Sequence, residues 1–243
     1  MLQIFSLVLT ALAGTVVGWA VSFYSGFCVA VGPEEDERDR KKIWKEYKWP
    51  LNSDEAKLIP MNAVVSVLIN VAVTEGTAIL SGWEQTILLV LYLLSASCLL
   101  GVAYVDLKIF EIPPLYDILI GICGAVRLLA DIRHWYVYAI GAVAVSGIFL
   151  LIALFSRGRA MGGGDIKLTA AMGLLLGWKE ILLVMTLAAL LGAVIHGIIM
   201  AVTKKEHLLA FGPYLALAGI TSMCVGEQII GWYSRYVMHL IEV

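Results

Sequence analysis

Long apolar runs dominate the chain, and short polar stretches separate one run from the next. A helix that crosses a bilayer needs roughly 20 consecutive apolar residues, and residues 1–33 contain no charged side chain. The runs that this pattern predicts to be spans are Met1–Pro33, Leu58–Leu80, Gln85–Val105, Leu115–Leu129, Trp135–Phe155, Ala160–Trp178, Ile181–Thr203 and Leu208–Ile230. The pattern therefore predicts an all-α membrane protein with about eight transmembrane helices.

One long polar stretch, residues 34–57, carries seven basic and eight acidic side chains. It divides the chain into a first transmembrane helix (1–33), a loop (34–57) and a core of seven helices (58–243). If successive spans alternate in direction, the side of this loop holds 13 of the 17 Lys and Arg residues. Because cytoplasmic loops are rich in basic residues, we expect the loop in the cytoplasm and both chain ends outside.

The composition agrees with a membrane protein, since 60% of the residues are hydrophobic and only 15% are charged. In soluble proteins about a quarter of the residues are charged, and a soluble core of this size could not bury so much apolar surface. The lipid bilayer is therefore an expected partner. A net charge of −2 offers no electrostatic basis for nucleic-acid binding. The cysteines and histidines lack the spacing of metal ligands, so no metal site is expected.

Two aspartates stand at the edges of apolar runs in similar surroundings. Asp106 ends the third run, and Asp165 follows Gly162-Gly163-Gly164; each precedes an apolar residue and then a lysine, Lys108 or Lys167. In the expected topology both aspartates lie at cytoplasmic ends of helices, so their carboxylates can meet at one depth. Charged residues at membrane depth are costly and are usually functional. The two aspartates are therefore the best candidates for chemistry.

A pair of neighbouring carboxylates suits peptide hydrolysis. Both groups cannot ionise cheaply when they are close, so the pair shares one proton. One carboxylate can then activate water while the other donates a proton, and no fixed role is assigned because the titration belongs to the pair. Glycines 162–164 let a substrate or a partner helix approach closely, and Pro113 stops the helix before it. The segment from Ile166 to Trp178 has only 13 residues, which is too few to cross a bilayer. We therefore expect Asp165 to be drawn into the bilayer.

These motifs resemble those of the type IV prepilin peptidases, a family of Gly-x-Gly-Asp membrane aspartic peptidases. The resemblance rests on Asp106-Leu-Lys with Ile112-Pro113, on Gly162-Gly-Gly-Asp165-Ile-Lys-Leu168, and on Phe211-Gly212-Pro213. It implies that Asp106 and Asp165 are the catalytic pair. It implies supporting roles for Gly162, Gly163, Gly164, Lys108, Pro113, Lys167, Phe211, Gly212 and Pro213.

The resemblance also implies a reaction and a location. Members of the family are endopeptidases of the bacterial inner membrane that cut a prepilin or pseudopilin after a Gly, on the cytoplasmic side of its hydrophobic helix. The cleavage itself needs neither a cofactor nor a metal. The substrate helix and the bilayer are then the expected partners.

The chain departs from many bacterial members in two places. Their first cytoplasmic loop carries two Cys-x-x-Cys pairs, whereas residues 34–57 contain no cysteine. Their Gly-Ser-Phe-Leu-Asn element is blurred here as Gly18-Trp-Ala-Val-Ser22-Phe23. Those members also N-methylate the new amino terminus with S-adenosylmethionine. We therefore expect a peptidase alone, or at least one without zinc, with S-adenosylmethionine as cofactor only if methylation is retained.

Other functions stay open at this point. A multi-span transporter coupled to protons or cations could use aspartates at the membrane edge, although both lie at one face and no inverted repeat is evident. A non-catalytic assembly factor, or a preflagellin or Tad-type peptidase, is a further alternative. Asp117 lies 11 residues past Asp106 and could support the pair or face a cleft. The acidic run 34–37 could dock a basic leader.

Overall fold

The computed structural model of the chain describes residues 2–32, 53–76, 82–158, 161–203 and 210–241. Within these ranges the chain forms eight long helices: α1 (Leu2–Val31), α2 (Leu58–Gly76), α3 (Gly82–Ile109), α4 (Pro114–Ala130), α5 (Trp135–Phe155), α6 (Gly163–Leu176), α7 (Trp178–Thr203) and α8 (Gly212–Ile241). A single helical turn, Ser53–Ala56, precedes α2, and a 3₁₀ turn, Ile132–His134, precedes α5. The described residues contain no strand, so the all-α prediction is confirmed.

Six of these helices are long and apolar enough to cross a membrane. The other two are α4, with 17 residues, and α6, with 14 residues. At about 1.5 Å per residue they rise roughly 25 and 20 Å, less than the roughly 30 Å of a hydrocarbon core. All eight predicted segments are helical, but by length and composition the predicted count of eight spans is not confirmed.

Helices α6 and α8 begin and end at residues other than the predicted ones. α6 begins at Gly163 and not at Ala160, and it stops before Gly177, whose φ of +88° is helix-breaking. α8 begins at Gly212 and not at Leu208, and it continues past Ile230 because no Gly-Pro signal interrupts it there. Residues 33–52, most of the predicted cytoplasmic loop, lie outside the described residues. The division into a first helix, a loop and a core therefore stays a prediction.

α3 is the central helix of the bundle. It packs against α1, α2, α4 and α8, whereas α6 packs mainly against α4, α5 and α7. Among the described residues the backbones of α3 and α6 do not contact each other. Buried side chains fill the space between them, including Leu99 from α3 and Met172 from α6. The two helices that carry Asp106 and Asp165 are thus held together by their neighbours.

A backbone contact joins α5 to α6. A Cβ at Gly173 would collide with the carbonyl oxygen of Gly141. Small residues at such crossings let membrane helices approach closely and gain packing energy. α5 and α6 are therefore in close backbone contact at the last turn of α6.

Side chains on the outside of the bundle are apolar and exposed. Val16 is 70% exposed and Val143 is 68% exposed, which suits a surface that faces lipid. Two hydrogen bonds inside the bundle join its helices: the Tyr116 hydroxyl lies 2.7 Å from the Ser25 hydroxyl, and the Asn62 amide donates to the Gly14 carbonyl at 3.0 Å. These bonds tie α1 to α4 and to α2, since an unpaired polar group in lipid is costly.

Candidate functional site

Asp106 lies in the last turn of α3 and is buried, with 6% of its surface exposed. The helix ends just after it, because Phe110 has a φ of +55° and donates its N–H to the Asp106 carbonyl at 2.9 Å. The chain then turns through Pro113, the N-cap of α4, and resumes at Pro114, a residue that suits a first helical position. The turn leaves the Asp106 carboxylate facing the start of α8.

The start of α8 supplies the hydrogen bond that orients Asp106. The backbone N–H of Gly212 donates to Asp106 Oδ2 at 2.8 Å. A Cβ at Gly212 would lie 2.8 Å from the same oxygen, so no larger residue fits without moving the carboxylate. The first N–H groups of a helix lack internal partners and carry partial positive charge, which favours an anion. Gly212 thus provides both the donor and the space.

Phe211 and Pro213 support this contact from either side. The Phe211 ring packs at 6.0 Å, edge to face, against Phe149 of α5, which anchors the residue before Gly212. Pro213 follows in the first turn of α8, where its missing N–H costs nothing. The Phe211-Gly212-Pro213 element therefore fixes the N-terminus of α8 against Asp106.

Asp165 lies in the first turn of α6, three residues after the N-cap Gly162. Its carboxylate reaches back to the backbone of Gly162 for a hydrogen bond, as the third helical residue does in a capping box. A Cβ at Gly162 would lie 3.2 Å from Asp165 Oδ2. The acidic side chain at this position also suits the helix dipole. The local sequence alone therefore orients Asp165.

The two aspartates come together through Gly164. A Cβ at Gly164 would lie only 3.0 Å from Cβ of Ile112, and Ile112 belongs to the turn that follows Asp106. The turn and the glycine segment are thus in direct contact. The carboxylates are close enough for the charge of Asp106 to act on Asp165. The structure brings together Asp106, Asp165, Gly162, Gly164 and Gly212.

The remaining predicted residues have less direct positions. Lys108 is exposed, forms an ion pair with Asp54 at 3.4 Å and lies over the Tyr104 ring. Gly163 has open space around it, so packing gives no reason for a glycine there. Lys167 is exposed but lies within electrostatic range of Asp117. The structure therefore gives Lys108 and Gly163 no contact with either aspartate.

A third carboxylate lies beside the pair. Asp117, in the first turn of α4, is only 8% exposed, and its Oδ1 has no hydrogen-bond partner among the described residues. Its charge acts together with those of Asp165 and Lys167. Sequence reasoning singled out Asp117 but not its burial. Its position in the first turn of α4, directly after Pro113 and Pro114, was the available signal.

No metal site accompanies these acids in the part of the chain that is described: nowhere there do three His, Cys, Asp or Glu side chains converge. Gly18 and Ser22 belong to the segment that corresponds to the family's Gly-Ser-Phe-Leu-Asn element. Gly18 faces Asn62, with 2.9 Å between a Cβ at Gly18 and Cβ of Asn62. Ser22 is buried and donates to the Gly18 carbonyl at 2.6 Å. Gly18 thus packs α1 against α2, whereas the Ser22 bond lies within α1.

Comparison with known proteins finds one family. Residues 93–197 match the model of the type IV leader peptidase family, a stretch that contains both Asp106 and Asp165 and stops before Phe211. No solved structure matches the chain. The comparisons give no support to a transporter.

Curated relatives agree with the family match. The chain is 29% identical over 192 residues to a prepilin leader peptidase/N-methyltransferase of Aeromonas salmonicida (strain A449), covering 73% of this chain and 60% of the relative. It is 29% identical over 163 residues to the protein of that name in Legionella pneumophila, covering 63% and 56%. It is 31% identical over 146 residues to one in Bacillus subtilis (strain 168), covering 58% of each. The chain thus spans less than two thirds of the length of these relatives.

Proposed function

From the membership of residues 93–197 in the type IV leader peptidase family, we propose that the chain is a membrane-embedded aspartic endopeptidase that removes the leader of a prepilin or pseudopilin. The observation that carries the proposal is that Asp106 and Asp165 lie at one end of the bundle, within electrostatic range of each other. They come from different helices, and each carboxylate bonds to a backbone group, of Gly212 or of Gly162.

The reaction is the addition of water to one peptide bond. Two close carboxylates share one proton. The ionised carboxylate takes a proton from the attacking water as the water oxygen bonds to the scissile carbonyl carbon. The other carboxylate gives its proton to the departing nitrogen as the C–N bond breaks. Either aspartate can fill either role, because the proton belongs to the pair.

Access for the substrate follows from the packing of the helices. Within the described ranges the backbones of α3 and α6 do not contact each other, and buried side chains fill the space between the two helices. An extended segment at the end of the substrate's apolar helix reaches the two aspartates from the side, where α3 ends and α6 begins. Gly162 is exposed and carries no side chain, which lets the substrate backbone approach Asp165 closely.

We further propose that the aspartates face the cytoplasm of a bacterial cell. The proposal is supported by the 13 of 17 Lys and Arg residues on that side of the expected topology. Reporter fusions after Gly158, at the aspartate end, and after Arg133, at the other end, test it. We expect a cytoplasmic signal from the first fusion and an outer signal from the second. The reverse result would exclude cleavage on the cytoplasmic side.

The relatives' printed name makes methyl transfer a second candidate activity. Its expected product is a mature amino terminus with one added methyl group, which mass spectrometry of the cleaved substrate detects. We propose that this chain is a peptidase only, because Gly18 packs α1 against α2 and the Ser22 hydroxyl bonds within α1. A methylated product that disappears when this protein is absent would contradict that proposal.

The central test co-expresses a prepilin with the wild type, Asp106→Asn or Asp165→Asn and measures loss of the leader by mass. General acid–base catalysis contributes at least about 100-fold, so we expect each variant to lose at least about that factor. Asn keeps the shape of the side chain and removes its proton chemistry. Glu111→Gln, in the exposed turn between Asp106 and α4, is the matched control and should cleave normally. Full cleavage by either Asn variant would disprove the proposed pair.

A further inference from the structure

A second polar site lies at the opposite end of the same helices. The ends of α3, α4, α6 and α8 that are remote from Asp106 and Asp165 surround a cavity of about 800 Å³, hereafter the outer cavity. Its lining includes Arg127, Lys179, Glu180, Glu227, Tyr92 and Tyr138. Cavities of this size commonly hold small ligands. The proposed peptidase chemistry makes no use of these residues.

The two short helices create the outer cavity. α4 ends at Ala130 and α6 ends at Leu176, so both stop roughly 5 to 10 Å short of a full crossing of the hydrocarbon core. Longer neighbours surround the recess that they leave. Charged groups at that depth need partners or a function. The recess and its charges therefore require an occupant.

Two carboxylates face the outer cavity without a bonded cation. Glu180 accepts a hydrogen bond from the Ser222 hydroxyl at 3.2 Å, and the charges of Glu227 and Arg127 both reach it. Arg127 is nevertheless in no ion pair with either glutamate in the described part of the chain. Two like charges beside one recess repel each other. A bound cation relieves this repulsion.

Basic groups line another part of the outer cavity. The Arg127 guanidinium lies over the Tyr138 ring at 5.8 Å, and Lys179 lies over the Trp178 ring at 5.5 Å. Asp131 forms no ion pair with Arg127 among the described residues, and its two oxygens bond to His134 and to the Tyr138 hydroxyl. Arg127 and Lys179 are thus available for an anion, and phosphate is the anion that such groups favour.

The charges together specify the ligand. A metal ion is a poor fit, because no three metal-ligating side chains converge among the described residues. An organic ammonium fits carboxylates and tyrosine faces, and a phosphate fits Arg127 and Lys179. We infer that the outer cavity binds a group that carries an ammonium and a phosphate close together, as the headgroup of an ethanolamine phospholipid does. Trp178 and Tyr136 at its border match the membrane interface, which favours lipid as the source.

Native mass spectrometry of the purified full chain tests the inference. Three probes are offered: phosphatidylethanolamine, phosphatidylglycerol and free O-phosphoethanolamine. We expect phosphatidylethanolamine to be retained at least about tenfold better than phosphatidylglycerol. A hydrogen bond between charged groups contributes enough binding free energy for a difference of that size. Binding of O-phosphoethanolamine alone supports the same chemistry and assigns a soluble source. Equal retention of both lipids without binding of O-phosphoethanolamine would overturn the inference.

Variants of the residues that line the outer cavity separate the roles of its acidic and basic groups. Glu180→Gln combined with Glu227→Gln should abolish the preference for phosphatidylethanolamine and leave phosphatidylglycerol bound. Arg127→Gln should weaken both lipids, and it tests the site by itself if the double variant does not fold. Glu75→Gln, an exposed acid at the same end of the bundle, is the control and should bind like the wild type. Unchanged binding in the lining variants would also overturn the inference. The readout does not depend on peptidase activity.

Discussion

Acidic pairs occur at both ends of the helix bundle, but the protein holds them differently. At one end Asp106 and Asp165 are each oriented by a backbone group at the start of a helix. At the other end Glu180 accepts its described hydrogen bond from a side chain, Ser222, and faces a wide cavity. Backbone donors cannot be lost by rotation of a side chain, so the first pair keeps its geometry. The comparison suggests that fixed geometry serves chemistry, whereas adaptable side chains serve recognition of a ligand.

The largest effect is expected from the backbone donor itself. In Gly212→Ala the new Cβ would lie 2.8 Å from Asp106 Oδ2, so the carboxylate must move. A displacement near 1 Å at a reacting group can cost about 100-fold in rate, which is the loss we expect in a leader-cleavage assay.

Gly231→Ala is the matched control for Gly212→Ala. It lies on the same helix with open space around it, and we expect normal cleavage. If Gly212→Ala cleaves as fast as this control, backbone orientation of Asp106 is unimportant and the contrast between the two ends fails.

A pair of neighbouring glycines gives the next largest effect. Gly164→Ala would force a contact of 3.0 Å with Cβ of Ile112 and separate the two aspartate motifs. We expect cleavage to fall about tenfold, since packing strain here acts directly on the site. Gly163→Ala, one residue away in open space, should cleave at the wild-type rate. Equal rates for the two variants would contradict the proposed contact.

Asp117→Asn should separate stability from activity. The buried carboxylate has an unpaired oxygen among the described residues, and an unpaired buried group costs roughly 1–3 kcal/mol. Removing the charge should raise or preserve the melting temperature while cleavage slows a few-fold, as is common when strained functional groups are replaced. Thermal unfolding and leader cleavage measured on one preparation check both effects. A less stable variant with normal cleavage would show that Asp117 is structural.

The smallest effect on cleavage is expected from variants that test whether the two ends of the bundle act independently. Glu180→Gln with Glu227→Gln alters the remote end of the same helices, and we expect leader cleavage to stay within about twofold of the wild type, since distant sites usually act independently. The same cleavage assay measures it. A large loss would show that the two ends are coupled and not independent.

Much of the fold was predictable from the sequence. Apolar runs of sufficient length identify membrane helices, because lipid leaves helices as the main option for a single segment. Asp106 and Asp165 stood out in the sequence because each charge lies at the edge of an apolar run and Asp165 follows three glycines. Their catalytic role stays a prediction. The short length of α6 was harder to predict, since the apolar run continues past the helix end at Gly177. The run predicted for α4, Leu115–Leu129, was already short.

Long-range contacts could not be predicted in the same way. Gly212 lies 106 residues from Asp106 in the chain, so nothing near either residue indicates that one donates to the other. Arg127, Glu180 and Glu227 each come from a different helix. Taken singly, each is typical of a charge at the membrane surface. Their convergence depends on packing, which a single sequence does not record.

The contact between Gly141 and Gly173 couples events that are far apart. It makes α5 and α6 one rigid pair, in which Asp165 lies eight residues, or roughly 12 Å, before Gly173 along α6. A side chain placed between the two backbones would tilt α6 and move Asp165 away from Asp106. Loss of activity can therefore arise in the middle of the membrane, at residues that never touch a substrate.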